Sequence, residues 1–280
     1  MEQPMVSIIM GTYNPQISYF SMAIDSLINQ SFKLWELLLI DDGSDDKHFS
    51  EIQAISQKDP RIICIRESVN HGLAYALNKG MRLARGKYIA RMDDDDVSYP
   101  RRLRDEIDFL EHNSEYDWVG CEADLFDENG IWGKASRPEN PSARSFLHSS
   151  PFIHPSVMFR KDVLLASGGY KEDRWSVRCE DYGLFMRLYA EGHKGYNLQS
   201  ILFQYRDDPS ALRRSMRYCY YEMRMRLQGF SEMGILSLTT FPYVFKPILV
   251  GIAAIFPGIA QRIRINRKTG DHKIGTDDRL

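Results

Sequence analysis

Four short, almost uninterrupted apolar runs organise the first hundred residues, at 6–10, 37–40, 62–65 and 88–92. Runs of this length without polar alternation suit strands covered on both faces, as in a parallel sheet. Between them, Met22, Ala23, Leu27 and Ile28 recur at helical spacing, as do Leu73, Ala76, Leu77, Met81 and Ala84, with Gly86 as the expected C-terminal cap. Pro100 can open a third helix carrying Leu103, Ile107 and Leu110 on one face. Strand–helix alternation predicts an α/β fold with a mostly parallel central sheet flanked by helices. Further on, 118–127 reads as a strand, Glu128-Asn129-Gly130 as a hairpin turn, and Ile131-Trp132 as the returning strand. Residues 135–152 read as a loop and 154–160 as a strand. A short helix ends at Gly168-Gly169, a helix over 180–191 carries Leu184, Phe185 or Met186, and Leu188 and is closed by Gly192, and a strand runs over 195–206.

At 280 residues, 43% hydrophobic and 26% charged, the composition excludes disorder, collagen or coiled coil as whole-chain readings. The length suits one large domain with an appendage: residues 1–208 and then an extension, 209–280. Cys64, Cys121, Cys179 and Cys219 stand at no zinc or redox spacing, so reduced structural thiols are expected. The first residues carry neither a basic region nor a long apolar run, so a cytoplasmic protein is expected. No Gly-x-Gly-x-x-Gly follows the first strand and no P-loop occurs, which disfavours dinucleotide oxidoreductases and P-loop enzymes. The net charge of −2 is unevenly spread: residues 1–200 hold 23 Lys+Arg against 31 Asp+Glu, and residues 201–280 hold 13 against 7. An acidic body does not suit nucleic acid, whereas the basic tail suits phosphates or an anionic membrane.

In open α/β sheets, ligands bind beyond the carboxyl ends of the strands. Three such ends carry Thr12-Tyr13-Asn14, Asp41-Asp42 and the run Asp93, Asp94, Asp95, Asp96. An aspartate run alone is usually a solvated loop; three polar clusters on one sheet edge point to a site. Four carboxylates at one point repel each other, and a divalent cation relieves that repulsion. Oxygen-only donors suit Mg²⁺ or Mn²⁺, which bridge substrate phosphates. A metal–diphosphate site without a P-loop points to nucleotide-sugar or nucleotidyl chemistry.

The segments Val-Ser-Ile-Ile-Met-Gly-Thr-Tyr-Asn (6–14), Leu-Leu-Ile-Asp-Asp-Gly-Ser (38–44), Asn-His-Gly-Leu-Ala-Tyr-Ala-Leu-Asn-Lys-Gly (70–80) and Tyr-Ile-Ala-Arg-Met-Asp-Asp-Asp-Asp (88–96) follow one another in order. So do His-Pro-Ser-Val-Met-Phe-Arg (154–160), Gly-Gly-Tyr (168–170) and Glu-Asp-Tyr-Gly-Leu-Phe-Met-Arg-Leu (180–188). Over about residues 5–206 the chain resembles the family 2 glycosyltransferases, and among them the bacterial O-antigen and exopolysaccharide enzymes. The resemblance implies the type A glycosyltransferase fold, a Rossmann-like nucleotide-sugar-binding architecture. It implies that Thr12, Tyr13 and Asn14 line the nucleobase and ribose pocket and that Asp42 accepts from a uracil N–H, with Asp41 shaping the turn. Asp93 and Asp95 match the Asp-x-Asp motif, Asp93 facing ribose and metal and Asp95 coordinating the metal, with Asp94 between them on the nucleotide side. Leu77 and Asn78 stand where the family commonly has an Arg. Asp181 matches the catalytic base, and Glu180, His154, Trp175 and Arg178 are acceptor-side candidates. His154 could equally be a hydrogen-bonded structural residue, and Trp175 and Arg178 plain loop surface. The implied reaction is inverting and metal-dependent.

In the tail, Arg213, Arg214, Arg217, Arg224 and Arg226 stud a Tyr- and Met-rich helix. Residues 235–260 carry one charge, Lys246, and are long enough to span a bilayer, but Pro242, Pro247 and Pro257 interrupt them. Arg262, Arg264, Arg267 and Lys268 follow, so a helix lying on an anionic surface is the favoured expectation, ahead of one packed on the catalytic domain. A peripheral enzyme on the cytoplasmic face of the inner membrane follows, with a UDP-sugar donor, glucose or galactose favoured, and a lipid-diphosphate-linked acceptor such as GlcNAc-diphospho-undecaprenol. Two alternatives stand beside it. A metal-dependent nucleotidyltransferase normally needs a basic, Gly-rich loop after the first strand, absent here. A catalytically silent nucleotide-binding module that retains the fold is opposed by the intact Asp93, Asp95 and Asp181.

Overall fold

A computed structural model describes residues 3–207 and 215–255. Its first half alternates strand and helix: β1 (Val6–Thr12), α1 (Ile17–Ile28), β2 (Trp35–Asp41), α2 (Asp46–Ser56), β3 (Ile62–Arg66), α3 (Leu73–Leu83) and β4 (Tyr88–Arg91). There follow β5 (Val97–Ser98), α4 (Arg102–His112), β6 (Trp118–Asp127), β7 (Gly130–Ala135), β8 (Met158–Arg160), α5 (Lys161–Ala166), α6 (Glu180–Ala190), β9 (Gly195–Arg206), α7 (Met216–Glu232) and α8 (Lys246–Ile255). Pro209, Arg213, Arg214, Pro257 and the cluster from Arg262 to Lys268 lie outside the described residues.

One nine-stranded sheet runs β3-β2-β1-β4-β8-β6-β9-β5, with β7 paired to β6. The first four are parallel neighbours. Beyond β4 the sheet departs from the mostly parallel expectation: β4–β8, β8–β6 and β9–β5 are antiparallel, while β6–β9 is parallel, so the sheet is mixed. The three-residue β8 follows a 3₁₀ turn at His154–Ser156 and enters between β4 and β6 antiparallel to both, after an excursion through β5, α4, β6 and β7 rather than a single crossover helix. The 154–160 segment is therefore half turn, half strand.

Helical faces differ from expectation in instructive ways. In α1 the buried residues are Phe20, Ala23, Ile24 and Leu27, and Met22 is exposed. In α4, Leu103, Ile107 and Leu110 are buried as expected, together with the ion pair Arg102–Glu106. Gly86 caps nothing: α3 ends at Leu83, and Gly86 lets the next loop press on β1, where a Cβ would stand 2.6 Å from the Ser7 nitrogen. The unmarked helix α2 starts on Asp45, which accepts from the His48 N–H at 2.9 Å. All four cysteines are free thiols.

The tail helix α7 is packed onto the catalytic body. A Cβ at Gly183 of α6 would meet Met225 of α7, and one at Gly229 of α7 would meet Met186 of α6, both within 3 Å. Arg226, expected among lipid-facing cations, is buried and donates to the carbonyls of Leu147, His148 and Tyr243 and to Glu222. No helix among the described residues is long and apolar enough to cross a membrane.

Candidate functional site

From β1 the chain winds outward to β3, then returns to place β4 on the other side of β1. The order reverses between β1 and β4, and a crevice opens at such a switch point beyond the carboxyl ends. Ile9 pairs with Arg91, so the same register three residues on brings Thr12 to Asp94. There the Thr12 hydroxyl donates to the Asp94 carboxylate at 2.6 Å.

The aspartate run divides at this point. Asp94 turns aside to Thr12, and burial pushes its pKa up to about 7, with Asp93 and Asp95 adding to the shift. Asp93, Asp95 and Asp96 each present a carboxylate oxygen within 4.8 Å of the others. Asp96, outside the expected donor set, is fully buried, and its Oδ2 lacks a hydrogen-bond partner although its Oδ1 accepts from the Arg206 N–H at 2.7 Å. An orphaned buried oxygen beside two more carboxylates is what a hard divalent cation satisfies, so these residues fit Mg²⁺ or Mn²⁺.

Two arginines frame the cluster. The wholly buried Arg91 ends β4 and lies 2.5 Å from Asp93. The Arg206 guanidinium donates to Asp95 at 3.1 Å. Behind them the buried Arg102 donates to the Arg91 carbonyl at 2.8 Å and to Glu106 at 3.0 Å, tying the root of α4 to the end of β4. None of these arginines stands out in the sequence, because each acts across strands or beneath a helix.

The other side of the switch point takes shape around Asp42. Both its oxygens accept backbone N–H bonds, from His71 at 3.0 and 3.1 Å and from Gly72 at 2.7 Å, at the amino end of α3. Gly43 follows with φ +82, and the backbone of Val69 passes within 2.5 Å of where its Cβ would stand, so only glycine fits. Asp41 is buried and accepts from the Ser44 N–H at 3.2 Å, which shapes that turn. Asn14 has φ 46; its N–H donates to Ser44 Oγ at 2.8 Å and its Oδ1 accepts from Asp45 at 3.0 Å. Of the Thr12-Tyr13-Asn14 trio, Thr12 and Asn14 are thus held by internal bonds, and Tyr13, 51% exposed, faces solvent.

Asp181 stands in the first turn of α6, one residue after Glu180. Burial pushes its pKa up to about 6; the Tyr182 N–H and Arg91 oppose the shift and Glu180 adds to it. Arg91 and Tyr170 feel the charges of both the aspartate cluster and the α6 start, so the two acidic groups share one electrostatic neighbourhood. Asn78 fixes Tyr170 through its backbone, donating to the carbonyl at 2.7 Å and accepting from the N–H at 2.9 Å. The Tyr170 hydroxyl meets His154 Nε2 at 2.8 Å. Burial, aided by the Arg91 charge, holds His154 well below the usual imidazole range, which makes it a neutral, hydrogen-bonded residue. Trp175 lies between the guanidiniums of Arg174 and Arg224, at 4.1 and 4.4 Å, and edge-on to Tyr221. Arg178 is exposed with φ 69 on the loop leading to α6. Arg224 had no expected role here, since it reaches the site only through the docking of α7.

Comparisons with known proteins agree with this arrangement. Residues 7–167 match the family described as Glycosyl transferase family 2. A Bacillus subtilis protein, EpsE, named as a glycosyltransferase, is 35% identical over 271 residues, covering 95% of this chain and 97% of its own. The O-antigen biosynthesis glycosyltransferase WbnJ of Escherichia coli is 31% identical, covering 78% of this chain and 85% of its own. Among solved structures, S. aureus TarS in complex with UDP-GlcNAc superposes with a TM-score of 0.64 at 17% identity, over 91% of this chain and 82% of that one. The Pyrobaculum calidifontis mannosyltransferase PcManGT, in complex with GDP-Man and Mn²⁺, gives 0.62 at 17% identity, over 95% and 80%. These structures share the type A glycosyltransferase fold. With more than half of its length matched to the family and near-complete alignment to EpsE, the chain belongs to the family 2 glycosyltransferases.

Proposed function

We propose that this glycosyltransferase moves a hexose, glucose or galactose, from a UDP-sugar to a lipid-diphosphate-linked acceptor, with inversion, at the cytoplasmic face of the inner membrane in surface-polysaccharide synthesis. GlcNAc-diphospho-undecaprenol is the acceptor, and β-1,3 the linkage, to test first. The same reading divides the chain into a catalytic unit, residues 1–208, and a membrane-associating helical extension, 209–280. The observation that carries it is a pair of acidic groups in one electrostatic neighbourhood. The cluster Asp93, Asp95 and Asp96 gathers three oxygens, while Asp181, at the start of α6, acts with that cluster on Arg91 and Tyr170.

Asp93, Asp95 and Asp96 would hold the divalent cation. When bound, it offsets the negative charge that builds on the departing nucleoside diphosphate. Tyr13 offers a ring to the nucleobase, and Asp42, steadied by the α3 amides, meets its N–H edge. Asp181 accepts the proton of the acceptor hydroxyl as that oxygen attacks the anomeric carbon from the face opposite the leaving group. Trp175, Glu180 and Arg178 border the acceptor side. His154 acts behind them, holding Tyr170.

The test is a transfer assay on purified protein, pairing UDP- and GDP-sugars with a synthetic GlcNAc-diphospho-lipid in Mn²⁺, Mg²⁺ or EDTA. Metal-dependent product from a UDP-hexose, lost in Asp95→Ala and Asp181→Asn, is the expected result. Turnover only with GDP-sugars would overturn the donor assignment, and full activity of Asp181→Asn would overturn the base.

A further inference from the structure

Residues 241–252, a 3₁₀ turn followed by most of α8, are apolar on both their buried and their exposed sides. Val244, Pro247 and Gly251 are buried, and a Cβ at Gly251 would stand within 3 Å of the sulfurs of Cys219 and Met216 on α7. Leu238, Phe241, Phe245, Leu249 and Ile252 are exposed, Leu238 at 96% and Leu249 at 63%. Phe241 and Phe245 stand on the 3₁₀ turn Phe241–Phe245 that leads into Leu249 and Ile252 on α8, at steps of three and four residues, while Leu238 stands on the turn before them. The one charge between residues 235 and 255 is Lys246, which donates to the His148 carbonyl at 2.8 Å. From Phe241 to Ile252 the exposed side chains carry no polar group, the exposed Thr239 lying on the turn before them.

We propose that this stripe is a membrane-docking surface that enters the interfacial layer of an anionic bilayer. Charge selects this occupant. The body over residues 1–200 is net acidic and would be repelled by anionic headgroups, whereas Arg217 and Arg224 are exposed on α7. The chain after α8 continues into residues 256–280, with six Lys+Arg against three Asp+Glu. Such a dipole turns the α7–α8 end towards the membrane. From Phe241 to Ile252 the stripe spans about 17 Å at a helical rise, too short to cross a bilayer and suited to lying along it. Its outward side chains offer no hydrogen bond, whereas a protein interface makes about one per 100–200 Å². The consequence for the enzyme is positional. Helix α7 touches α8 on one side and the Trp175 loop and Asp181-bearing α6 on the other, so docking holds the acceptor side at the lipid surface. This deepens the proposed function and takes its lipid-linked acceptor from that reading, yet docking is measurable without transfer.

The test uses the full chain with phosphatidylcholine vesicles, alone or with phosphatidylglycerol. Wild type is expected to sediment with the anionic vesicles, and the double variant Phe245→Glu/Leu249→Glu to bind at least about tenfold more weakly. Its melting temperature and UDP binding should be unchanged. In a separate variant, Leu249→Trp, the indole emission should shift to the blue on vesicles and be quenched by brominated lipid. Failure of wild type to sediment, equal binding by the double variant, or an unshifted indole would each overturn the proposal. So would a wild-type dimer that the double variant splits, which would assign the stripe to a second copy. Vesicle binding without any transfer would count against the proposed reaction and leave the docking surface standing.

Discussion

The proposed reaction requires one carboxyl to be a base near neutral pH, and the surroundings of Asp181 suit that role. Burial lifts its pKa to about 6, close to where a general base works best. Since only the deprotonated form accepts a proton, kcat/KM should rise as pH climbs through about 6 and level off above it, which a pH–rate profile under saturating metal would show. Asp181→Asn should lower kcat by about 10²–10⁴-fold while UDP binding, measured calorimetrically, persists. The same residue weakens the fold. A carboxyl whose folded pKa is raised stabilises the protein in acid, and that contribution is lost as pH rises from its unfolded value, about 3.9, through about 6. Asp181→Asn should therefore raise the melting temperature by a few degrees at pH 8 and by nothing measurable at pH 4. Equal stabilisation at both values would show that its charge is not what strains the site.

Helices α6 and α7 set the geometry that this chemistry needs. Their close approach rests on Gly183 and Gly229, each against a methionine of the other helix. Gly229→Val would push branched carbons into Met186, which is buried and has little room to turn. A loss of about 1–3 kcal/mol in denaturant unfolding is expected, with a fall in kcat because α6 carries Asp181. Arg226 fastens the same pair from the side by donating to three carbonyls. Arg226→Ala strips those buried acceptors of their donor, and a loss of about 2–4 kcal/mol should appear in the same measurement. A helix placed by sequence in a basic, lipid-attracting tail is therefore, over its described length, packed into the same core as α6.

For the whole molecule, the acidic crevice between β1 and β4 is a destabilising feature that a ligand can relieve. A cation that binds the folded state alone stabilises it by RT ln(1 + [L]/Kd), about 2.7 kcal/mol at a hundredfold excess over Kd. Mn²⁺ should raise the melting temperature of wild type by several degrees and leave Asp95→Ala nearly unmoved, as thermal scans with and without EDTA would show. An equal rise in both would place the cation elsewhere.

Much of this was legible before any coordinates. The apolar runs at 6–10, 37–40 and 88–92 became parallel strands buried on both faces, which leave that signature in single residues, and the run at 62–65 became the half-exposed edge strand β3 beside them. The polar clusters at their ends fell on one edge because parallel strands share a direction. What the residues alone could not decide were pairings across distance. Asp96 joining Asp93 and Asp95 among the gathered oxygens, Arg91 and Arg206 beside the aspartates, the neutral His154 on Tyr170, and Arg224 on Trp175 all depend on register, burial and helix docking. The antiparallel turn at β8 and the outward apolar face of α8 belong to the same class. Local sequence carries periodicity and charge; which faces meet, and therefore which polar groups are left to act, is settled only when the chain has packed.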